Sequence, residues 1–331
     1  MVTSQPTAAA IAAGVVRAFP GLGHVGAVRE LRRGRNNVSW VMNSSTRGLI
    51  VCKVLVGVGT AVVERLHAHQ RLCEAGVPVP ALVGFKPVSE VLGGRLLVVS
   101  EYLPGRDAAD ALPGMSAADV GALMRGTGSA VASLHGVRGP QRFGDGETGI
   151  LPGPSTWPEV VEQRLALLNA TTTSDPGLTR RAAAIARDLA AGLDFVVPAT
   201  AHLDLFLPNL LVDDDRRFLR LLDLEHVRVV DPVADMVKPG MWMFGDHPEW
   251  ADDFVAGYCA AAGSWPAAWE ARIAVASGLE LLSGCGYWQL VGDRDMFCDY
   301  ESRLQAWADT GGAAHAWAEI QPRSSSVISA A

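Results

Sequence analysis

The chain has 331 residues, 49% of them hydrophobic and 19% charged, with a formal net charge of -7. That is the profile of a folded globular protein, long enough for one large domain or two modest lobes. The acidic balance argues against nucleic acid or an anionic membrane surface as the main partner, and no run of about 18 apolar residues offers a transmembrane helix.

Residues 1–25 read as a helix that turns at Pro20-Gly21, and no basic residue precedes Arg17, so the segment lacks the charged start of a secretory signal. Residues 26–56 switch to short β-rich runs separated by turn residues near Gly34–Asn37 and Asn43–Gly48, the pattern of an antiparallel meander. Val62, Leu66, Leu72 and Cys73 then recur at helical spacing over 61–76, with Gly76 as a C-terminal stop. PVPALVGF and RLLVVSEYL read as two further strands, and the stretch 101–106 as a connector. Beyond it, helical patterns run over MSAADVGALMRGTGSAVASLHGV and through 158–195. A β-like island occupies 202–230, mostly helical sequence follows over 248–320, and the serine-rich end from 324 reads as a frayed tail. The fold class expected is α+β and bilobal, with a β-rich N-lobe over 1–103 and a mainly helical C-lobe over 104–331. The five cysteines show no CxxC pairing, which suits small buried hydrophobes in a reducing cytoplasm and excludes a recognisable zinc site.

Four stretches carry chemistry. Lys53 lies in the apolar run LIVCKVL, where an ammonium either reaches water or meets an anion. Taken alone, an edge-strand lysine reaching water is the plainer reading. Glu64, at the start of the next helix, is either a favourable first-turn charge or a partner turned towards Lys53. HLDLFLPN sets Asp204 and Asn209 among apolar residues. LLDLEHV brings Asp223 and Glu225 to one face if it is a strand. Paired carboxylates repel unless a proton or cation neutralises them, and Mg2+ takes such oxygens together with phosphate and water. Asn209 adds a neutral oxygen, and Asp204 is suited to accept a hydrogen bond from a substrate hydroxyl.

HLDLFLPN resembles the catalytic loop HGDxxxxN of the aminoglycoside phosphotransferase and choline kinase group, which has a protein-kinase-like fold. LLDLEHV is similar to that group's metal-binding segment, with forms such as IDWE, and DPVAD (231–235) to the DPxxD that follows it. Upstream, GRNNVSWVM resembles the phosphate loop, VCKV the strand lysine, ERLHAHQRLCEAGVPVP the next helix and strand, and LVVSEYLPG the connector. Order and approximate spacing agree from about residue 26 to 240.

The resemblance implies an ATP- and Mg2+-dependent kinase. Asp204 would orient or deprotonate the acceptor hydroxyl. Asn209 and Asp223 would hold Mg2+, with Glu225 either a second ligand or a strand-face charge. Lys53, held by Glu64, would contact the α/β-phosphates, Asn36, Asn37 and Ser39 would cover them, and Glu101, Tyr102 and Leu103 would meet the adenine edge through their backbone. Such roles suit phosphoryl transfer, where catalysis is mostly positioning and charge neutralisation. The chain departs from the group at Leu203, where the pattern has glycine. His202, Asp231 and Asp235 read as structural, Asp213-Asp214-Asp215 as a solvated hairpin tip, and His135 as a helix-end histidine.

The acceptor expected is a hydroxylated small molecule, an antibiotic, with no nucleic-acid or membrane partner and an undefined oligomeric state. Residues 231–301 hold 12 acidic residues against Lys238, Arg272 and Arg294, which suits an amine-bearing acceptor unless they are solvated helix faces. Trp242, Trp250, Trp265, Trp269 and Trp288 read mostly as core, with one or two left to line an apolar pocket. The alternatives are a metabolic kinase of an amino alcohol or sugar and, because of Leu203, a catalytically silent nucleotide-binding relative.

Overall fold

A computed structural model describes residues 6–31, 37–55, 60–88, 92, 95–137, 142–144, 153–168 and 172–320. The turn expected at 34–37 (Asn37 apart), Asn36 and the tail from 324 lie outside these residues. The chain divides into two compact units, the first containing Met1–Gly105 and Arg220–Glu225, the second Arg106–Asp145, Ile150–Leu219 and His226–Ala331.

The first unit is built on an antiparallel sheet of β1 (Val25–Glu30), β2 (Val38–Ser44), β3 (Gly48–Leu55), β4 (Leu82–Val88) and β5 (Arg95–Glu101), in the order β1-β2-β3-β5-β4. Alternation along the strands sorts the side chains to two faces. Val38, Met42, Ile50, Cys52, Val54, Leu97 and Val99 pack with Ile11 and Val15 of helix α1 (Ala8–Ala18). Leu55, Leu96 and Val98 pack with Leu66 and Val62 of helix α2 (Thr60–Glu74). Lys53, one residue out of phase with Cys52 and Val54, therefore belongs to the α2 face. Gly76 stops α2 in the left-handed region at φ 76°, with its N–H on Cys73 O and the Val77 N–H on Leu72 O.

The second unit is mainly helical: α3 (Ala117–His135), α4 (Trp157–Ala166), α5 (Pro176–Ala190), α6 (Pro248–Ala262), α7 (Trp269–Val291) and α8 (Arg294–Asp309). Ser116 and Thr156 cap α3 and α4 with reciprocal capping boxes. Trp157, Val161, Ala182, Val275, Leu282, Leu304 and Trp307 are among the core residues shared by α4, α5, α7 and α8. Helices α3 and α6 approach so closely that a Cβ on Gly128 would collide with the Phe254 carbonyl, and one on Gly257 with that of Arg125.

Between the helices run short strands: β6 (Arg106–Asp107), β7 (Ala199–Ala201), β8 (Leu210–Val212), β9 (Phe218–Leu221) and β10 (Arg228–Val230). β7 pairs with β10 and β6 with β8. Asp213-Asp214-Asp215 forms the turn after β8, where Asp213 Oδ1 accepts the Arg217 N–H at 2.8 Å. All five cysteines are free thiols, and no helix among the described residues is long and apolar enough to cross a membrane.

Candidate active site

In the first unit, Lys53 Nζ lies 3.0 Å from Asp223 Oδ1 and is ion-paired with Glu225 Oε1. Burial works against the ammonium, but the two carboxylates outweigh it and hold the Lys53 pKa above the ordinary lysine value. Burial pushes the Glu225 carboxyl up and the Asp223 charge adds to this, against the opposite pull of Lys53. Three further residues of the unit gather round Lys53 and Glu225. Glu225 Oε2 accepts the Asn37 side-chain N–H at 2.5 Å, its backbone carbonyl accepts Arg65 Nη1 at 2.9 Å, and Ser39 is the cross-strand partner of Lys53.

Two expectations change here. LLDLEHV is not one strand: β9 ends at Leu221, Asp223 has φ 60°, and Leu224–His226 forms a tight turn. Aspartate tolerates the left-handed region better than most residues, and the turn brings both carboxylates to Lys53 without strand alternation. The second concerns Glu64, which is exposed, while the carboxylates on Lys53 are Asp223 and Glu225. At 100° per residue, Glu64 lies 200° round α2 from the buried Leu66, on the side away from the sheet. Its neighbour Arg65 is the α2 residue that reaches the cluster.

The connector keeps its own contacts. The Glu101 N–H donates to Ala81 O at 2.9 Å, and the Glu101 side chain accepts the Ala81 N–H at 2.7 Å. The Arg29 guanidinium lies 6.0 Å from the centre of the Tyr102 ring, with Nη2 3.5 Å from the hydroxyl. Leu103 follows, half-buried.

In the second unit, the loop after β7 holds Asp204 and Asn209. Leu205 and Leu210 are fully buried on either side, and Pro208 lies in the single tight turn Leu207–Asn209. Asn209 Nδ2 donates to the Asp204 carbonyl at 2.7 Å and to Asp204 Oδ2 at 2.8 Å, so its own Oδ1 is not needed to hold the loop. The Asp204 N–H donates to His202 Nδ1 at 3.2 Å, which assigns His202 a buried structural role. Leu203 has φ 64°, the backbone that glycine adopts without strain, and its side chain packs against the unit's main core. The substitution thus leaves the left-handed backbone in place.

Asp235 holds that backbone. Its Oδ2 accepts the His202 N–H at 2.8 Å and its Oδ1 the Leu203 N–H at 2.6 Å, while His135 Nε2 lies 3.0 Å from Oδ2 and Nδ1 3.0 Å from the Tyr258 hydroxyl. His135, the last residue of α3, is thus a helix-end histidine with both ring nitrogens satisfied, and it braces the loop through Asp235. Asp231 also keeps a structural role: it caps the turn Pro232–Met236 and takes Arg272 on both of its oxygens.

Sequence reasoning gave no role to Lys238. Its Nζ lies 2.5 Å from Asp204 Oδ1 and 3.9 Å from Glu280 Oε1. The signal was composition: the chain has three lysines against 25 arginines, and Lys53 and Lys238 are two of them. Half of the 12 acidic residues over 231–301 are taken up by structural contacts. Asp231 and Asp235 are internal, Asp253 and Asp299 pair with Arg125 and Arg303, Asp293 caps α8, and Glu301 accepts from Ser174. Trp265 and Trp250 are core, whereas the half-buried Trp242 and Trp288 flank Tyr300, whose hydroxyl lies 3.4 Å from Glu280 Oε1.

Among the described residues, no three His, Cys, Asp or Glu side chains cluster as a closed metal cage. The model of the phosphotransferase enzyme family matches residues 27–272. A search of curated protein sequences gives no match. Among solved structures, a thermostable mutant of aminoglycoside phosphotransferase APH(4)-Ia, in ternary complex with AMP-PNP and hygromycin B, superposes with TM-score 0.68 at 17% identity, over 91% of this chain and 98% of the other. A Ralstonia eutropha JMP134 protein provisionally assigned as an aminoglycoside phosphotransferase gives 0.65 at 19% identity, over 94% and 98%. A macrolide 2'-phosphotransferase type I gives 0.54 at 17%, over 92% and 99%. At these identities the likeness shows the fold, a β-sheet N-terminal region followed by a helical C-terminal region.

Proposed function

The chain belongs to the phosphotransferase enzyme family, and from that premise we propose that it transfers the γ-phosphoryl group of ATP, with Mg2+, to a hydroxyl of a small natural product. The acceptor class is an antibiotic, and the role resistance or self-protection in a reducing cytoplasm. The observation that carries the reading is the Asp204 carboxylate, fixed on one oxygen by Asn209 and on the other by Lys238 in a loop braced from behind by Asp235. A carboxylate so fixed can aim a remaining lone pair at an acceptor hydroxyl and take its proton.

Lys53 carries three donor hydrogens, two of them matched by Asp223 and Glu225, and takes the α/β-phosphates with the third. Asn37 and Ser39 would cover the phosphates, as would Asn36, which lies outside the described residues. Because the Glu101 N–H is engaged by Ala81, the adenine edge meets the carbonyl of Glu101 and the N–H groups of Tyr102 or Leu103. By the family resemblance Asp223 and Asn209 would supply oxygens for Mg2+, with Glu225 as a further carboxylate, and so few protein oxygens would suit an ion that keeps waters and phosphate oxygens as ligands. The chemistry that Mg2+ would supply when bound is neutralisation of charge on the phosphate oxygens.

Two fold relatives support an antibiotic acceptor, one solved with hygromycin B and one a macrolide 2'-phosphotransferase. Incubating the protein with Mg-ATP and a panel of hydroxylated antibiotics, read by mass spectrometry, should give one product with a single added phosphoryl group. Turnover confined to an amino alcohol or a sugar would move the chain to the metabolic kinases instead.

A further inference from the structure

Lys238 offers the strongest observation outside the roles already described. It is 34 positions along the chain from Asp204, yet its ammonium sits on Oδ1 at 2.5 Å with Glu280 at 3.9 Å on its other side. Both lysine and aspartate side chains are largely withdrawn from solvent, 22% and 17% exposed. A second carboxylate in the same unit, Asp231, shows what an arginine does in a comparable place: Nε reaches both Asp231 oxygens and Nη2 reaches Oδ1 again. That grip suits a structural carboxylate, because the fork saturates both oxygens. Lysine is a compact point charge and engages one oxygen of Asp204, so a lone pair stays open for a hydroxyl.

The scarcity of lysine sharpens the contrast. In a chain with 25 arginines, one lysine meets Asp223 and Glu225, one meets Asp204, and the third, Lys86, lies over the Phe19 ring.

We propose that Lys238 is a positioning residue for phosphoryl transfer: its single-point ion pair fixes the Asp204 carboxylate while leaving it open to the acceptor, and Glu280 steadies the ammonium from the far side. The proposal rests on the phosphotransfer reading above. In the step it serves, the acceptor oxygen forms a bond to the γ-phosphorus of a nucleoside triphosphate as the bond to the β–γ bridging oxygen breaks. The hydroxyl proton passes to Asp204 and then to solvent, and nucleoside diphosphate leaves. Burial opposes the Lys238 charge, but Glu280 and Asp204 more than offset it and raise its pKa, so the ammonium persists through neutral pH.

The test uses the full chain with Lys238→Met, Lys238→Arg and Asp204→Asn. Three lysines give three ε-ammonium signals in 15N-lysine NMR, and the one lost in Lys238→Arg should shift in Asp204→Asn. Turnover of Mg-ATP, with water or an acceptor from the panel, should fall on the order of 10²-fold in Lys238→Met, as misplacement of a reacting group costs. The AMP-PNP affinity should stay within about twofold, since the lysine acts on the acceptor side. Arginine keeps the charge and still leaves turnover below wild type, whereas a charge-balancing role alone would be rescued by it. Wild-type turnover in both lysine variants overturns the proposal alone, as does full rescue by arginine or loss of AMP-PNP affinity in step with turnover. If Lys238→Met does not fold, Lys238→Arg and the NMR shift decide by the same criteria. A wild-type protein inert towards Mg-ATP with every acceptor overturns the underlying reading and the proposal with it.

Discussion

Leu203 shows how one residue can break a pattern without breaking the structure behind it. A non-glycine residue at φ 64° carries roughly 1–2 kcal/mol of backbone strain. The Asp235 hydrogen bond to its N–H and the packing of its side chain on the core offset that cost. Leu203→Gly should therefore change stability by no more than about 1 kcal/mol, because strain relief and lost packing oppose each other. Leu203→Ile, β-branched in a region that disfavours branching, should cost about 1–2 kcal/mol more than the glycine variant. Urea denaturation of the two variants checks the order, and an isoleucine variant as stable as wild type would refute the strain argument. Asp204 and Asn209 were legible because they lie only five positions apart in one loop. Lys238 was not, because its partner lies 34 positions away and only lysine scarcity marked it. Glu64 was misread because a chain position near a helix start does not fix its angle round the helix.

At the scale of elements, the backbone of the Asp204 loop is held by the segment after β10 through Asp235. Burial pushes the Asp235 carboxyl up, but the His135 hydrogen bond and the His135 and His202 imidazoles pull it below the usual carboxylate value. A depressed folded-state pKa stabilises the protein above the unfolded value of about 3.9, and that stability is lost as pH falls through the folded pKa. Asp235→Ala should cost roughly 1–3 kcal/mol at neutral pH for each of the His202 and Leu203 N–H groups that it leaves without an acceptor. Its deficit against wild type should shrink on acidification below about pH 4. Denaturant midpoints measured from pH 7 to pH 3 check both, and a deficit that grows with acid would contradict the assignment. Sequence periodicity found the helices and the strands of the sheet, since one face of each is apolar. It failed at LLDLEHV because the left-handed φ of Asp223 is a backbone feature that alternation does not encode.

For the whole molecule, the order of motifs along the chain was legible, whereas two features of connectivity were not. β5 inserts between β3 and β4, and Arg220–Glu225 returns to the first unit, where it completes the cluster round Lys53. Both depend on contacts distant in sequence, which local pattern cannot carry. A nucleotide that binds only the folded chain stabilises it by mass action, about 2.7 kcal/mol at a hundred times its Kd. Mg-AMP-PNP should therefore raise the melting temperature of the wild type and raise it much less in Asp223→Ala. An equal shift in the two would count against Asp223 as a Mg2+ ligand.

In the proposed function Asp204 serves the acceptor and not the nucleotide. The most direct measurement compares wild type with Asp204→Ala for phosphoryl transfer from Mg-ATP, with AMP-PNP affinity measured on the same samples. In Asp204→Ala transfer should disappear while AMP-PNP still binds with near-wild-type affinity. Unchanged turnover, or loss of nucleotide binding together with turnover, would contradict that role.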